Sequence, residues 1–328
     1  MEHMQGESNI EQPTRKRIEA LQARSKFRRS PEDSSTCTIE NAEGTTFSLS
    51  TIENGQDPIL GDVQALFERT FGEEEIDPEE ILRSAVDGVT PWGTNDTKYR
   101  VVPVRENNGE VVGTIAGASL DIVDANEKPT NEMAYFIGYA VVDPKIRQGG
   151  LAREAYISAL MDATANAEKE GKKISYAIGE CTGSSEHFWN SVGWKRIYAK
   201  DENNEYIELP YIQPALDFDE ETGEIAEDAG EAPEHLMIDS FTDTPTKEAV
   251  KSVYDSFIRY CAMWPREAFK SDEAYRVHQE YVENLTSKFK EFIDTKGELL
   301  FLDAKEREEA IKSGQIIHDH PEIKEEPE

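Results

Sequence analysis

The segment Val141-Val142-Asp143-Pro144-Lys145-Ile146-Arg147-Gln148-Gly149-Gly150-Leu151-Ala152 joins an apolar strand end, a proline turn, a glycine pair and the opening of an amphipathic helix. A loop of this kind aims several backbone N–H groups outward at a helix N-terminus. The partial positive charge there favours an anion. The residue types therefore predict a cradle for the phosphates of a cofactor. Gly149 and Gly150 carry no side chain to hold a phosphate off the backbone. Arg147 or Arg153 can add a charge-assisted contact. An ordinary strand–turn–helix junction uses the same residues, so this segment alone does not fix the chemistry.

Several elements must hold that loop. Apolar and polar residues alternate over 47–52, as in a half-buried strand, and helical spacing follows at Ile59, Val63, Leu66, Phe67 and Phe71. A second helix is predicted over 78–89. Strands over 99–104 and 110–122 flank Asn108-Gly109, a hairpin signal. A strand over 133–142 leads into the loop, and the helix after it stops near Gly171. A strand over 174–179, a helix ending before Gly193 and a hairpin of 195–199 with 206–211 complete the series. The order is β-α-α-β-β-β-α-β-α-β-β, which implies an α/β fold: a mixed sheet with helices on both faces.

The ends of the chain differ in composition. Residues 1–44 are polar, with a basic cluster from Arg15 to Arg29 and a thin apolar stripe of Ile18, Leu21 and Phe27, and read as a partly disordered tail. Residues 45–216 carry the globular pattern. Residues 217–234 are acidic and poor in large apolar side chains, which predicts a linker. Residues 235–328 read as a mainly helical extension, with a strand over 235–241, helices over 247–263 and 272–293, a short strand over 299–302 and a last helix over 305–312, ending in a disordered tail. His318 and His320 in that tail are two ligands without a frame, so no metal is expected there.

Acidic residues outnumber basic ones 67 to 35, a formal charge of −32 at pH 7. Such a field repels nucleic-acid phosphates from the main domain and favours a cationic substrate, although solubility or a saline cell explains it as well. Cys37, Cys181 and Cys261 are far apart and odd in number, so neither a disulfide framework nor a CxxC site is expected. With no run of about 18 apolar residues and no apolar leader, no membrane association is expected, and the cytoplasm is the predicted compartment.

A second segment sharpens the first. Phe188-Trp189-Asn190-Ser191-Val192-Gly193-Trp194-Lys195-Arg196-Ile197 follows at the next helix–strand junction. Taken with Arg147, Gly150 and Ala152, it resembles the paired landmarks of the GNAT superfamily of acyl-CoA-dependent N-acetyltransferases. The resemblance covers about half the chain. It implies a GNAT-like twisted sheet, acetyl-CoA as cosubstrate, no metal, and an amine acceptor on a small molecule, peptide or protein. It also implies main-chain bonds from Ala140, Val141 and Val142 to the pantetheine arm. Gln148, Gly149, Gly150, Leu151, Ala152 and Arg153 would wrap the pyrophosphate, and Thr182 would contact the cofactor. Either Ala140 or Val141 would stabilise the carbonyl oxygen.

Glu180, at a strand end where the family often has a carboxylate, is the candidate base, with an exposed strand-end Glu as the alternative. Trp189 stands where the family often has an acidic Tyr, and an indole N–H only donates a hydrogen bond. Tyr198, Tyr139 or His187 are the candidate substitutes. A non-catalytic acyl-CoA-binding or interaction module is the alternative function. The C-terminal region is expected to cover the acceptor side or to form a homodimer interface.

Overall fold

A computed structural model describes residues 12–30, 36–71, 76–89, 97, 99–124, 128–147, 149–215, 217–227, 229 and 232–318. Its strands are β1 (Arg28–Arg29), β2 (Thr36–Glu40), β3 (Thr46–Ser50), β4 (Tyr99–Glu106), β5 (Val111–Val123), β6 (Pro129–Val142) and β7 (Lys173–Cys181). They continue with β8 (Lys195–Lys200), β9 (Tyr206–Glu208), β10 (Ile212–Gln213), β11 (Ala232–Pro233), β12 (His235–Ser240), β13 (Leu299–Leu302) and β14 (Ile316–His318). The helices are α1 (Thr14–Gln22), α2 (Ile59–Glu68), α3 (Glu79–Val86), α4 (Leu151–Lys169), α5 (Gly183–Val192), α6 (Lys247–Ala262), α7 (Asp272–Thr295) and α8 (Ala304–Lys312).

The main sheet runs β1-β2-β3-β4-β5-β6-β7-β12-β8-β9-β14, with β13 on β8. Its neighbours are antiparallel except β6 with β7 and β9 with β14. Parallel pairing of β6 and β7 requires a crossover, and α4 supplies it. One face of the sheet carries α1, α4 and α5 over a core that includes Ile39, Leu49, Tyr156, Leu160 and Trp194. The other carries α2, α3, α6 and α7 over Leu60, Leu82, Val253, Phe257 and Phe289. Each fully buried side chain of this size contributes about 1.5–3 kcal/mol. The expected α/β architecture, a mixed sheet covered on both faces with C-terminal helices, is the one observed.

The divisions expected from composition do not match the structure at either end. Within 1–44, α1 packs Ile18 and Leu21 into the core beneath α4, and β1 and β2 extend the sheet beyond β3. Cys37 and Ile39 are buried while their neighbours in β2 are not, a pattern too short to stand out from the polar composition. Residues 1–11 and 31–35 lie outside the described residues.

The segment beginning at 235 is not an appendage. β12 enters the sheet between β7 and β8, pairing Leu236 with Glu180 and Met237 with Arg196. It is buried on both faces, so it shows no polar–apolar alternation, and Asp239 is kept there by Arg17 of α1. The acidic stretch also folds. Phe218 bridges to Ile225 and is buried among Phe269, Ala274 and the ring of His278, 4.4 Å away between centroids. His318 ends β14 against β9, and residues 319–328 lie outside the described residues. No helix among the described residues is long and apolar enough to cross a membrane.

Candidate active site

The two central strands part company midway. β6 pairs with β7 from Glu132↔Lys173 to Phe136↔Ile178 and no further. Beyond that point β6 follows β5, to Gly113↔Val142, while β7 follows β12, to His235↔Cys181. A bulge accompanies the divergence. Ala116 faces Tyr139 and Gly117 faces Ile137, which leaves Gly138 as the extra residue of β6. A side chain at Gly138 would collide with the Tyr99 hydroxyl, 2.5 Å from the Cβ position. The result is a wedge-shaped gap between residues 137–142 of β6 and 179–181 of β7.

The gap has polar walls because a strand edge without a neighbour keeps its main-chain groups open. Asp143 N–H donates to the Val112 carbonyl at 2.9 Å, and antiparallel alternation then turns Val141 toward Thr114 on β5. Ala140 and Val142 face the other way, into the gap. The Val142 carbonyl confirms that direction by accepting from Arg147 Nε at 3.1 Å. Among the three residues expected to offer main-chain bonds, Ala140 and Val142 are therefore available and Val141 is engaged within the sheet. Of the two candidates to stabilise a carbonyl oxygen, Ala140 remains.

The loop follows directly from β6. Gly150 precedes α4 at φ +91°, a conformation that favours glycine. The N–H groups of Leu151 and Ala152, at the first two helical positions, have no intrahelical acceptor. A Cβ on Gly149 would come no nearer than 3.8 Å to the Ile146 carbonyl, and one on Gly150 would approach only the edge of Phe27, at 3.9 Å. The space over the loop is open. The Leu151 side chain is buried in the core below, so its contribution is main-chain only. Glu154, one turn into α4, is turned inward to Ser25 (2.6 Å) and Arg29 (3.3 Å).

The two arginines are placed differently from expectation. Arg147 folds back on the Val142 carbonyl, and Arg153 Nη1 donates to the Arg24 carbonyl at 3.3 Å. Both guanidinium groups are already engaged with main chain. Gln148 lies outside the described residues.

Glu180 stands at the far wall of the gap. Its side chain falls on the α6 and α7 face, the face shared with Tyr176 and Ile178 by strand alternation. Tyr211 donates a hydrogen bond to Oε1, and Gln213 Nε2 donates to Oε2 at 3.4 Å. Loss of water around the carboxyl, reinforced by the nearby Glu234 carboxylate, outweighs these two bonds and pushes its pKa up to about 8. A second carboxyl, Asp77, lies on the same side of the sheet. It accepts from the Tyr139 hydroxyl at 2.9 Å and is raised above the usual carboxylate range, chiefly by burial. The α6 side chains Tyr254, Phe257, Tyr260 and Cys261 roof this region, so the C-terminal helices cover the face from which Glu180 projects.

Trp189 does not reach the gap. It is buried on the opposite face against Trp194 (4.5 Å between centroids) and edge-on to Tyr156. Of the candidates to replace it, Tyr198 is buried beside Ala310 and Ile316, and His187 is exposed on α5. Tyr139 alone stands near the Glu180 carboxyl, which raises its pKa after the larger effects of burial and Asp77. Cys181 is buried on the α5 face, and burial pushes its thiol well above the ordinary range, so it is inert. Thr182 caps α5 by position and is exposed, its carbonyl accepting from Ser185 and Glu186.

Asp77, Tyr211 and Gln213 were not anticipated. Asp77 precedes Pro78 and a helix, where an Asp usually serves as a cap, and Tyr211 closes what reads as a hairpin. Neither position carries a local signal for a site.

No protein-family model matches the chain, and no curated protein matches it. Among solved structures it is similar to an acetyltransferase of the GNAT family from Staphylococcus aureus, at 12% identity over 59% of this chain and 99% of that one, TM-score 0.34. It is similar also to the ribosomal-protein-S18-alanine N-acetyltransferase from Escherichia coli, at 14% identity over 61% of this chain and 96% of that one, TM-score 0.33.

Proposed function

We propose that the protein is an N-acetyltransferase that moves an acetyl group from acetyl-CoA directly to an amine. One observation carries this: a carboxyl of raised pKa, Glu180, stands across a strand gap whose other wall leads into an anion-binding helix terminus. The gap fits an extended arm with amide groups, because the Ala140 main-chain groups and the Val142 N–H face an edge of β6 that β7 no longer pairs. The open space over Gly149 and Gly150 fits a diphosphate. When bound, acetyl-CoA supplies the activated acyl group and a thiolate leaving group.

The residues then divide the work. Ala140 N–H faces the negative charge that develops on the carbonyl oxygen. Glu180, as carboxylate, takes the proton from the attacking amine as the carbon–nitrogen bond forms and the carbon–sulfur bond breaks. No acid is needed for the sulfur, since a thiol of pKa near about 8.5 leaves as thiolate. The buried Trp189 is consistent with that. Acetylation of a panel of amines, followed by CoA release, tests the reading. Amine-dependent release supports it. Saturable CoA binding without turnover on any amine contradicts it and leaves an acyl-CoA-binding module.

A further inference from the structure

The face that Glu180 enters holds a second carboxyl with no cationic partner among the described residues. Asp77 Oδ2 accepts from Tyr139, and Oδ1 has no donor among the described residues. The partners of Glu180 are Tyr211, Gln213 and the like-charged Glu234. Both carboxyls belong to partly exposed residues, and the described residues place neutral or acidic groups beside them, so an entering ammonium meets no competing cation among those residues.

A layer of buried aromatic rings lies beneath this face. Tyr211 packs on Phe257 (6.1 Å between centroids), Phe257 on Phe136 (5.1 Å) and Phe136 on Tyr260 (5.7 Å). Burial chiefly raises the pKa of Cys261, Tyr260 and Tyr99, and the Asp77 charge adds to each, as the Glu180 charge does to Cys261. The Tyr260 hydroxyl is the second, independent sign of a ligand. Tyr260 is 8% exposed, and its oxygen has no hydrogen-bond partner among the described residues. A buried hydroxyl beside an unmatched carboxyl lacks a group that both could bind.

We propose that the acceptor is an α,ω-diamine, whose reacting nitrogen meets Glu180 while its second, protonated nitrogen is held by Asp77 beside the Tyr260 hydroxyl. An ammonium has three donors and no acceptor, which matches Asp77 Oδ1 and the tyrosine oxygens. The partly exposed ring of Tyr139, whose hydroxyl holds Asp77, suits the methylenes and attracts the charge as well. The net charge of −32 draws such a dication toward the molecule. This inference rests on the N-acetyltransferase reading and names its substrate class.

The test compares α,ω-diamines of three to six carbons with n-alkylamines of the same lengths, each with acetyl-CoA. The wild type is expected to prefer one diamine length at least tenfold in kcat/KM. That preference should fall at least tenfold in Asp77→Asn and to a smaller degree in Tyr260→Phe. Equal kcat/KM for diamines and monoamines, or an unchanged preference in Asp77→Asn, would overturn the inference and leave the N-acetyltransferase reading standing. Turnover on no amine would sink that reading instead. Calorimetry with 1,4-diaminobutane then reads the subsite alone: saturable binding weakened at least tenfold by Asp77→Asn supports the subsite, and binding that is absent or indifferent to the substitution overturns it.

Discussion

The Tyr211 hydroxyl donates a hydrogen bond to the Glu180 carboxylate, tying the chain after β9 to the end of β7. The bond favours the charged form of a carboxyl that its surroundings otherwise keep protonated. Tyr211 is thus a positioning residue that acts through Glu180. Tyr211→Phe removes a donor to the ionised form, so the pKa of Glu180 rises further. One unit corresponds to about 1.4 kcal/mol, and a shift of that size would lower the rate at pH 7 about tenfold. A pH profile of kcat/KM measures it. A midpoint displaced to higher pH is expected, whereas a uniform loss at every pH would mean that Tyr211 acts on packing alone.

The same carboxyl links stability to pH. Its folded pKa is about 8 against an ordinary value of 4.5, so the native state binds the extra proton between those limits. Stability from this group therefore falls as pH rises from about 4.5 to 8 and is level above. Glu180→Gln mimics the neutral form. The variant should melt close to wild type at pH 5 and above it at pH 9. Thermal unfolding at the two pH values decides, and equal melting temperatures at pH 9 would contradict the burial argument.

The phosphate cradle makes a separate prediction. Gly149→Leu puts a side chain into the space over the loop, where, apart from its chain neighbours, no atom of the described residues lies nearer than 3.8 Å to its Cβ. Folding should be little affected, while acetyl-CoA affinity should fall at least tenfold, about 1.4 kcal/mol. Gly150→Ala behaves differently because φ is +91° there, and should lower stability by about 1 kcal/mol. Calorimetric titration and thermal melts separate the two effects.

The acidic stretch is testable through Gly223. Its φ is +77°, and a Cβ there would lie 1.8 Å from the Ala274 carbonyl oxygen. Gly223→Ala must displace the segment from α7, costing upward of about 2 kcal/mol. Faster amide exchange around Phe218 would report the release. Unchanged exchange would show that 217–227 is not anchored as described.

Local order along the chain was legible where one pattern decided one element. The glycine pair before α4, the helical spacing of α2, α6 and α7 and the run of β6 all show in their own residues. Glu180 was visible for the same reason, as a carboxylate at the end of an apolar strand. What escaped is what depends on distant chain. β12 is legible as a strand, but its place between β7 and β8 is not, because nothing in His235-Leu236-Met237-Ile238-Asp239 itself names the strands that cover it. Val141 was counted with its neighbours because only the register against Thr114 reveals which main-chain groups are already paired. Phe218 is one apolar residue among acids, and its burial comes from Trp264, Phe269 and His278, at least 46 positions away. Asp77 and Tyr139 are 62 residues apart and meet only in the fold.

The most direct test of the central claim is the amine-dependent release of CoA from acetyl-CoA, measured from pH 6 to 9 in wild type and Glu180→Gln. With a Glu180 pKa of about 8, wild-type kcat/KM should rise roughly tenfold from pH 6 to 7 and level off above pH 8. The Gln variant should be lower by a factor of about 10² or more and flat across the range. A variant that keeps the wild-type rate and the same rising limb would contradict the account.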